Sequence, residues 1–350
     1  MIVTRFSVGT RLSHDGVDPF GCISIDPFKG KFMGRRLVAT LFAWSGVLAV
    51  GLGFALTFAA PRASAQTLAL SFDDGPHLHE TPLLSAAQRN AALLAALARH
   101  QAKAFLFVTA NNGANQPAGL ALARAWGEAG HVIGNHTMSH LDLNGAETTL
   151  AAYQQELLDC DAVIRDLPGY RRWFRFTYLR EGNTPEKRDG MRAFLQAQGY
   201  RNAYVTLDTS DWRFNELLLK TLLSRPDADV QPIKAQYIAH VLQRATAYRA
   251  LAQQLQGRDI PQMLLLHHNL INALWLDEVL SALKAQGWTF VDPETAFADP
   301  IYRLQPDRPV AGQSLLLSMA RVLGLGRFPG WERLVDDGDY EMALLKAQGF

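Results

Sequence analysis

Seven short apolar runs rich in β-forming residues alternate with segments of helical spacing, and this alternation constrains the fold more than any other feature. Strands that alternate with helices predict a parallel sheet with right-handed crossovers. Seven such units suit a barrel better than an open sheet. The runs read TLALSF, AFLFVT, HVIGNH, WFRFTYL, NAYVTL, MLLLHH and WTFVDP, all between residues 67 and 293.

Helical spacing is clearest in residues 84–99, where Leu93, Leu94 and Leu97 share one face. The tail carries one further apolar helix, near residues 314–324, which we expect to pack on the outside of the barrel. The other predicted helices cover 117–129, 146–166, 186–198, 215–224, 233–256 and 275–286.

The first 65 residues differ in character from the rest. Residues 37–60 carry no charge, Arg35 and Arg36 precede them, and the small residues ASA end at Ala65. This pattern is typical of a secretory signal peptide. An apolar run of 24 residues is also long enough to span a bilayer if it is retained. We therefore expect export to the periplasm or the extracellular space, with any membrane contact made only through an uncleaved N-terminal segment.

Residues 1–32 resemble neither a signal peptide nor a domain, and Met33 is a more natural start. We interpret the leading segment as an over-extended reading frame. The predicted organisation is an over-extended N-terminus (1–32), a signal peptide or membrane anchor (33–65), a main domain (66–300) and a short helical C-terminal extension (301–350).

Charge and cysteine content exclude several classes of function. The formal net charge of +1 provides no strongly basic face for nucleic acid. Two cysteines in 350 residues cannot form a disulfide framework or a cysteine-rich metal cluster. Nothing in the sequence predicts an oligomeric state.

Polar residues recur at the C-terminal ends of the predicted strands. In a parallel α/β barrel, active sites form at this face. One such residue means little, whereas five strands that end in polar residues predict a site. The residues are Asp73 and Asp74 after the first strand, His136 after the third, Arg175 and Tyr178 in the fourth, Asp208 and Asp211 after the fifth, and His267 after the sixth.

The stretch NHTMSH contains two histidines four residues apart, His136 and His140. This spacing places both imidazoles on one face of a helical turn, which suits a divalent metal. The pair alone is a weak signal, but two histidines and one aspartate make a three-ligand site with open positions. A cation there would also offset the repulsion between Asp73 and Asp74.

Five ordered segments resemble the polysaccharide deacetylase family, carbohydrate esterase family 4, with its NodB-homology domain. The similarity spans residues 67–295 and implies a distorted (β/α)7-type barrel, NodB-like, whose catalytic domain is residues 66–300. The segments are SFDDGP (71–76), HTMSH (136–140), RFTY (175–178), DTSDW (208–212) and LLLH (264–267).

The resemblance implies a role for each matched residue. Asp74, His136 and His140 would bind a divalent metal, zinc first, with Co²⁺, Ni²⁺ or Fe²⁺ as alternatives. The other implied roles are Asp73 as general base, Arg175 as its partner, His267 as general acid, Asp211 as the residue that orients His267, the backbone N–H of Tyr178 as oxyanion donor, and Trp212 and Leu265 as the pocket for the acetyl methyl group.

One position departs from the family pattern. Thr177 stands where the family has proline, which would fix φ and stiffen the loop before Tyr178. We therefore expect a freer loop, and we expect Thr177→Pro to leave activity unchanged or to raise it.

Two classes of function fit this sequence. The first is a secreted metal-dependent hydrolase, an N-deacetylase of peptidoglycan, chitin-like oligomers or exopolysaccharide. The second is a non-catalytic carbohydrate-binding protein on the same fold, but loss of catalysis should remove the base, the ligands or the acid, and all are present. A variant of the first keeps the chemistry and acts on O-acetyl esters or small cyclic amides.

Overall fold

The strands form one sheet in which every pairing is parallel, as the alternating pattern predicts. The computed structural model describes residues 66–307, 313–325, 334 and 338–350. The predicted segments 1–32 and 33–65 lie outside the described residues. The strands are β1 (Thr67–Gly75), β2 (Ala104–Val108), β3 (Val132–Asn135), β4 (Tyr170–Phe174), β5 (Arg201–Asn202), β6 (Leu207–Asp208), β7 (Gln262–His267) and β8 (Thr289–Phe290).

Helices connect these strands and cover the sheet, and most begin and end within a few residues of the predicted bounds. Two of the described helices were not predicted: a short one directly after the last strand and a second one in the tail. The helices are α1 (Ala86–Arg99), α2 (Pro117–Glu128), α3 (Leu150–Ile164), α4 (Pro185–Ala197), α5 (Asp211–Ser224), α6 (Gln231–Gln256), α7 (Leu270–Ala285), α8 (Pro293–Ala296), α9 (Leu315–Val322) and α10 (Asp339–Ala347).

The sheet curls into a barrel. In the described residues its two edge strands, β5 and β6, do not pair with each other, and the chain between them closes the barrel. Its strand order is β5-β4-β3-β2-β1-β7-β6, with β8 beside the start of β1. The run 202–207 was predicted as one strand, and this was wrong, because it contributes β5 to one edge and β6 to the other. Between them the Ala203 N–H donates to Phe174 O at 2.7 Å and the Thr206 N–H donates to Met263 O at 3.2 Å. The run therefore crosses the gap between the two edges, which gives the distorted (β/α)7 barrel.

Local signals explain why the elements begin where they do. Ser85 caps α1 by accepting from the Gln88 N–H, and the Gln88 side chain accepts from the Ser85 N–H. Such a capping box is worth about 1 kcal/mol. Leu93 and Leu97 then face the core, which is also packed by the fully buried β2.

The C-terminal extension packs against the barrel at the crossing run. Leu315, at the start of α9, donates its N–H to Val205 O at 2.7 Å. Three leucines and Ala320 bury the inner face of α9, as the apolar pattern at 314–324 predicts. Helix α10 was not predicted; it has nine residues, of which Glu341 and Leu345 are buried. Within the described residues, no helix combines the length and apolar character that a membrane span requires.

Candidate active site

The predicted metal ligands meet at the C-terminal edge of the sheet. Ligand atoms of Asp74, His136 and His140 lie within 4.8 Å of one another. Asp74 Oδ1 is 3.5 Å from His136 Nε2 and 3.2 Å from His140 Nε2. Among the described residues this is the one group of three or more such side chains close enough to share an ion.

His136 is oriented by its backbone surroundings. Its Nδ1 lies 2.7 Å from Arg175 O, which can only accept, so the proton is on Nδ1 and the Nε2 lone pair points to Asp74. Burial lowers the pKa of His136 to about 3, so the ring is neutral at pH 7. Metal-binding histidines commonly donate their second N–H in this way.

The loop that carries the two histidines is not helical, so the predicted helical turn is wrong. Thr137 and His140 both have left-handed backbones, with φ of 71° and 61°. Asn135 Oδ1 accepts from the Thr137 N–H at 2.9 Å, and Thr137 Oγ1 accepts from the His140 N–H at 3.0 Å. The Glu156 carboxylate accepts hydrogen bonds from the N–H and the hydroxyl of Ser139, the residue before His140. Side-chain hydrogen bonds therefore bring the imidazoles together, and helical periodicity does not.

Asp74 also has a left-handed backbone, with φ of 67°. Successive side chains of a strand point to opposite faces, and this turn explains why Asp74 and Asp73 both approach His136 Nε2, at 3.5 and 3.7 Å. Asp74 Oδ1 is buried and accepts no hydrogen bond within the described part of the chain. Burial would raise the pKa of Asp74, but His140 and neighbouring imidazoles lower it below its ordinary value. A buried, ionised and unsatisfied oxygen beside two imidazole nitrogens fits a divalent cation of the zinc type.

Asp73 lies beside the candidate metal ligands but has a different partner. Arg175 Nη1 donates to both of its carboxylate oxygens at 3.1 Å. Arg175 follows the last residue of β4, and it also donates to Ala203 O at 2.5 Å and to Ser71 Oγ at 3.3 Å. Burial raises the pKa of Asp73 to about 6, although Arg175 opposes this shift. Asp73 Oδ2 is 3.7 Å from His136 Nε2, so a carboxylate able to accept a proton lies at the edge of the metal group.

His267 lies next to Asp73 on the adjacent strand, because the two residues are partners in the β1–β7 register. The ring Nδ1 of His267 lies 2.6 Å from Asp211 Oδ1, and the backbone N–H of His267 donates to Asp211 Oδ2 at 3.0 Å. Burial lowers the pKa of His267, but Asp211 outweighs this and raises the pKa to about 10. The ring is therefore protonated at neutral pH and partly open to solvent, as a proton donor must be.

Asp211 is fully buried at the first position of α5. Asn269 and Asn272 donate their amides to its Oδ2 at 3.0 and 2.6 Å. Burial would raise the pKa of Asp211, but His267 and these donors lower it. The sequence did not predict either asparagine. The available signal was their position: Asn269 directly follows LLLHH, and Asn272 comes three residues later. Asp208 accepts from the Ser210 N–H at 2.8 Å and so stabilises the loop before Asp211.

Tyr178 occupies a left-handed position, with φ of 56° and ψ of 18°, in a short 3₁₀ turn after β4. Its ring packs edge-on against His140 at 4.4 Å between centroids. No hydrogen bond from its N–H is found in the described residues. A free N–H beside a candidate metal ligand is consistent with the predicted oxyanion donor.

Thr177 is not a loose substitute for proline, and the expectation of a freer loop is wrong. Its N–H donates to Tyr153 Oη at 3.2 Å, and its hydroxyl donates to Leu141 O at 2.5 Å. The Tyr153 hydroxyl also forms a hydrogen bond with the Thr177 hydroxyl, with 2.9 Å between Tyr153 Oη and Thr177 Oγ1. Both side chains are fully buried. This network joins the Tyr178 loop to the residue after His140, a connection that proline could not make.

The two predicted pocket residues are less closely tied to the cluster. Leu265 is buried on β7, two residues before His267 and therefore on the same face of the strand. Trp212 is half-buried and directly follows Asp211, with Arg213 lying 4.3 Å over its ring. Their contact with an acetyl group stays a prediction.

The family model described as polysaccharide deacetylase matches residues 60–202. The matched range is less than half of the chain, and it shows a similarity to the polysaccharide deacetylase family. The matched range contains Asp73, Asp74, His136, His140 and Arg175, whereas Asp211 and His267 lie beyond it. Assignment of that last pair therefore depends on the geometry given above.

Two proteins with sequence similarity to this chain are named as deacetylases. A peptidoglycan-N-acetylglucosamine deacetylase of Bacillus cereus is 29% identical over 161 residues, which cover 46% of this chain and 51% of that protein. A chitin deacetylase of Arthroderma benhamiae is 32% identical over 147 residues, 42% of this chain and 35% of that protein. The chain thus spans about half the length of the first relative, and its own activity is a proposal.

Solved structures that are similar to this chain include a family 4 carbohydrate esterase from Streptomyces lividans in complex with acetate. It is 19% identical, with a TM-score of 0.43 over 67% of this chain and 97% of that one. The polysaccharide deacetylase Bc1974 from Bacillus cereus is 23% identical, with a TM-score of 0.45 over 65% and 91% of the two chains.

Proposed function

We propose that this chain is a metal-dependent hydrolase that removes acetyl groups from N-acetylated glycans. The observation that carries the proposal is that a candidate metal group, a carboxylate and a protonated imidazole meet at one edge of the sheet. Asp74, His136 and His140 would bind the cation, with zinc the metal that best suits two imidazoles and one carboxylate. When bound there, such a cation polarises an acetyl carbonyl and lowers the pKa of a neighbouring water.

The chain's own residues supply the proton transfers of amide hydrolysis. Asp73 takes a proton from the attacking water, whose oxygen bonds to the carbonyl carbon, and Arg175 keeps the carboxylate oriented. His267 gives its proton to the nitrogen as the C–N bond breaks, so acetate and a free amine leave. Asp211 stabilises the protonated imidazole, and the Tyr178 N–H stabilises the developing oxyanion.

The substrate class is proposed from the named relatives. Peptidoglycan and chitin appear in their names, so peptidoglycan, chitin-like oligomers and exopolysaccharide are the glycans to examine. Trp212 and Leu265 would contact the acetyl methyl group. The N-terminal pattern supports export, which would place the enzyme with such substrates outside the cytoplasm.

The test is acetate release from a panel of N-acetylated glycans, O-acetyl esters and small cyclic amides. We expect release from at least one N-acetylated glycan, loss of release with a chelator, and recovery on addition of Zn²⁺ or Co²⁺. Asp74→Asn should abolish release, while Asp166→Asn, the same change at an exposed carboxylate away from the site, serves as the matched control. Full activity in the metal-free protein would end the proposed mechanism. Binding of glycans without acetate release would favour the non-catalytic alternative, and preference for esters or cyclic amides would change the substrate.

A further inference from the structure

Helix α10 of the C-terminal extension places a carboxylate in the protein interior. Glu341 is fully buried and lies between two buried side chains of α6, His240 and Arg244. Its Oε1 is 3.1 Å from His240 Nε2, and it accepts a hydrogen bond from Arg244 Nη2. Burying a carboxylate is unfavourable unless cations or donors compensate it, and breaking such a group strongly destabilises. The extension is thus joined to the barrel by a specific ionic group as well as by apolar packing.

His240 connects this group to the loop that precedes Asp211. The same Nε2 lies 2.9 Å from Thr209 O. A backbone carbonyl and a carboxylate only accept hydrogen bonds, so Nε2 carries the proton and shares it between Thr209 and Glu341. Replacing Glu341 by glutamine therefore removes the anion that faces Nε2 and leaves a weaker, neutral amide acceptor beside His240.

The loop beside Thr209 needs such support, because its backbone is strained. Ser210 has a left-handed conformation, with φ of 46° and ψ of 39°, and it caps α5 without a side-chain hydrogen bond. A non-glycine residue in this region costs about 1 kcal/mol or more, which surrounding contacts must offset. Asp211 follows at once, so the position of its carboxylate depends on the backbone at residues 209–210.

The start of α10 touches the other side of the same loop. Gly338, the residue before the helix, approaches Trp212 so closely that a Cβ there would lie 2.8 Å from Trp212 Cη2. It would also lie 2.7 Å from Arg213 Nε. Helix α10 and its cap therefore contact the loop from both sides of Asp211, through His240 at Thr209 and directly at Trp212.

We propose that Glu341 is a positioning residue for the reaction: acting through His240, it aligns the 208–211 loop so that Asp211 keeps His267 oriented as proton donor. The C-terminal extension is then part of the catalytic apparatus, although none of its described residues is among the reacting groups. This inference rests on the proposed function, because it assigns His267 the role of acid.

Two substrates separate positioning from general stability. An N-acetylated chito-oligosaccharide releases an amine that must be protonated, whereas 4-nitrophenyl acetate releases a phenolate that needs no proton. In full-length, metal-loaded Glu341→Gln we expect kcat for the amide to fall by about tenfold or more, but by less than the ~10²–10⁴ that loss of the general acid itself would cost. Ester hydrolysis should stay within about twofold. Glu128→Gln, the same change at an exposed site of α2, should alter neither rate.

A second variant tests the route through His240. His240→Gln should give the same selective loss, and combining it with Glu341→Gln should add little, since the two residues act as one unit. Equal loss with both substrates in folded protein, or no loss with either, would overturn the proposal. A wild-type protein inactive toward every acetylated substrate would instead overturn the proposed function.

A spectroscopic measurement tests the alignment without activity. A hydrogen bond of 2.6 Å between His267 Nδ1 and Asp211 should give a far-downfield proton resonance in the wild-type protein. Glu341→Gln should shift or broaden that resonance, and Glu128→Gln should leave it unchanged. An unchanged resonance in a folded Glu341→Gln protein would show that the extension does not act on the pair.

Discussion

The Asp211 carboxylate binds His267 twice, once at the imidazole Nδ1 and once at the backbone N–H, at 2.6 and 3.0 Å. The side chain and the strand end therefore take their position from the same buried anion. This arrangement raises the pKa of His267 from an ordinary 6.5 to about 10, in spite of the burial that lowers it.

The first prediction concerns this pKa. A group with a raised folded-state pKa stabilises the protein fully below its unfolded value and loses that contribution as pH rises through the folded value. The His267–Asp211 pair should therefore stabilise the fold below pH 6.5, and its contribution should fall between pH 6.5 and about 10. Asp211→Asn should lower the pKa of His267, because burial is then opposed only by the carboxylates of Asp74 and Asp73. Titration of the ring by NMR in both proteins measures this, and an unchanged midpoint in Asp211→Asn would refute it.

The second prediction separates the two adjacent aspartates. Asp74→Asn removes a charged ligand from the His136 and His140 pair, so metal content and activity should both fall steeply. Asp73→Asn leaves the ligand set intact, so metal should stay bound while the rate falls by ~10²–10⁴. The measurement is metal per chain beside turnover for each variant. If Asp73→Asn empties the site and Asp74→Asn does not, the roles are reversed.

The third prediction concerns Thr177 and reverses the expectation from the sequence. Thr177→Pro deletes the N–H that Tyr153 accepts and the hydroxyl that Leu141 O accepts. Each buried group left unpaired costs roughly 1–3 kcal/mol. We now expect a lower free energy of unfolding and a lower rate. Denaturant unfolding and turnover measure the two effects.

Two further variants locate the effect within the same network. Thr177→Val keeps the N–H and removes only the hydroxyl, while Tyr153→Phe leaves the Thr177 N–H without its acceptor. Both should be destabilised less than Thr177→Pro. A proline variant as stable and active as wild type would show that the network is dispensable.

The fourth prediction concerns processing of the N-terminus. If the uncharged run 37–60 and the following ASA form a signal peptide, the exported protein begins near Gln66. N-terminal sequencing of exported material measures this. Exported protein that still contains residues 37–60 would be anchored by them instead.

The sequence by itself determined four central strands and the polar residues that follow two of them. Apolar runs of β-forming residues predicted β1, β2, β3 and β7, because these strands are buried on both faces and their signal is local. Two acids at the end of β1 and two histidines after β3 predicted the metal group, since the ends of parallel strands share one edge of a sheet.

Only the tertiary structure decided how those residues are presented. His140 reaches the site through left-handed turns that Asn135 and Thr137 stabilise, where spacing suggested a helix. The run 202–207 is divided between two sheet edges because its backbone groups find partners in both β4 and β7. Glu341 is buried 130 residues after Asp211 in the chain. In each case the conformation depends on hydrogen bonds and ion pairs between residues distant in sequence, whose energies local periodicity does not contain.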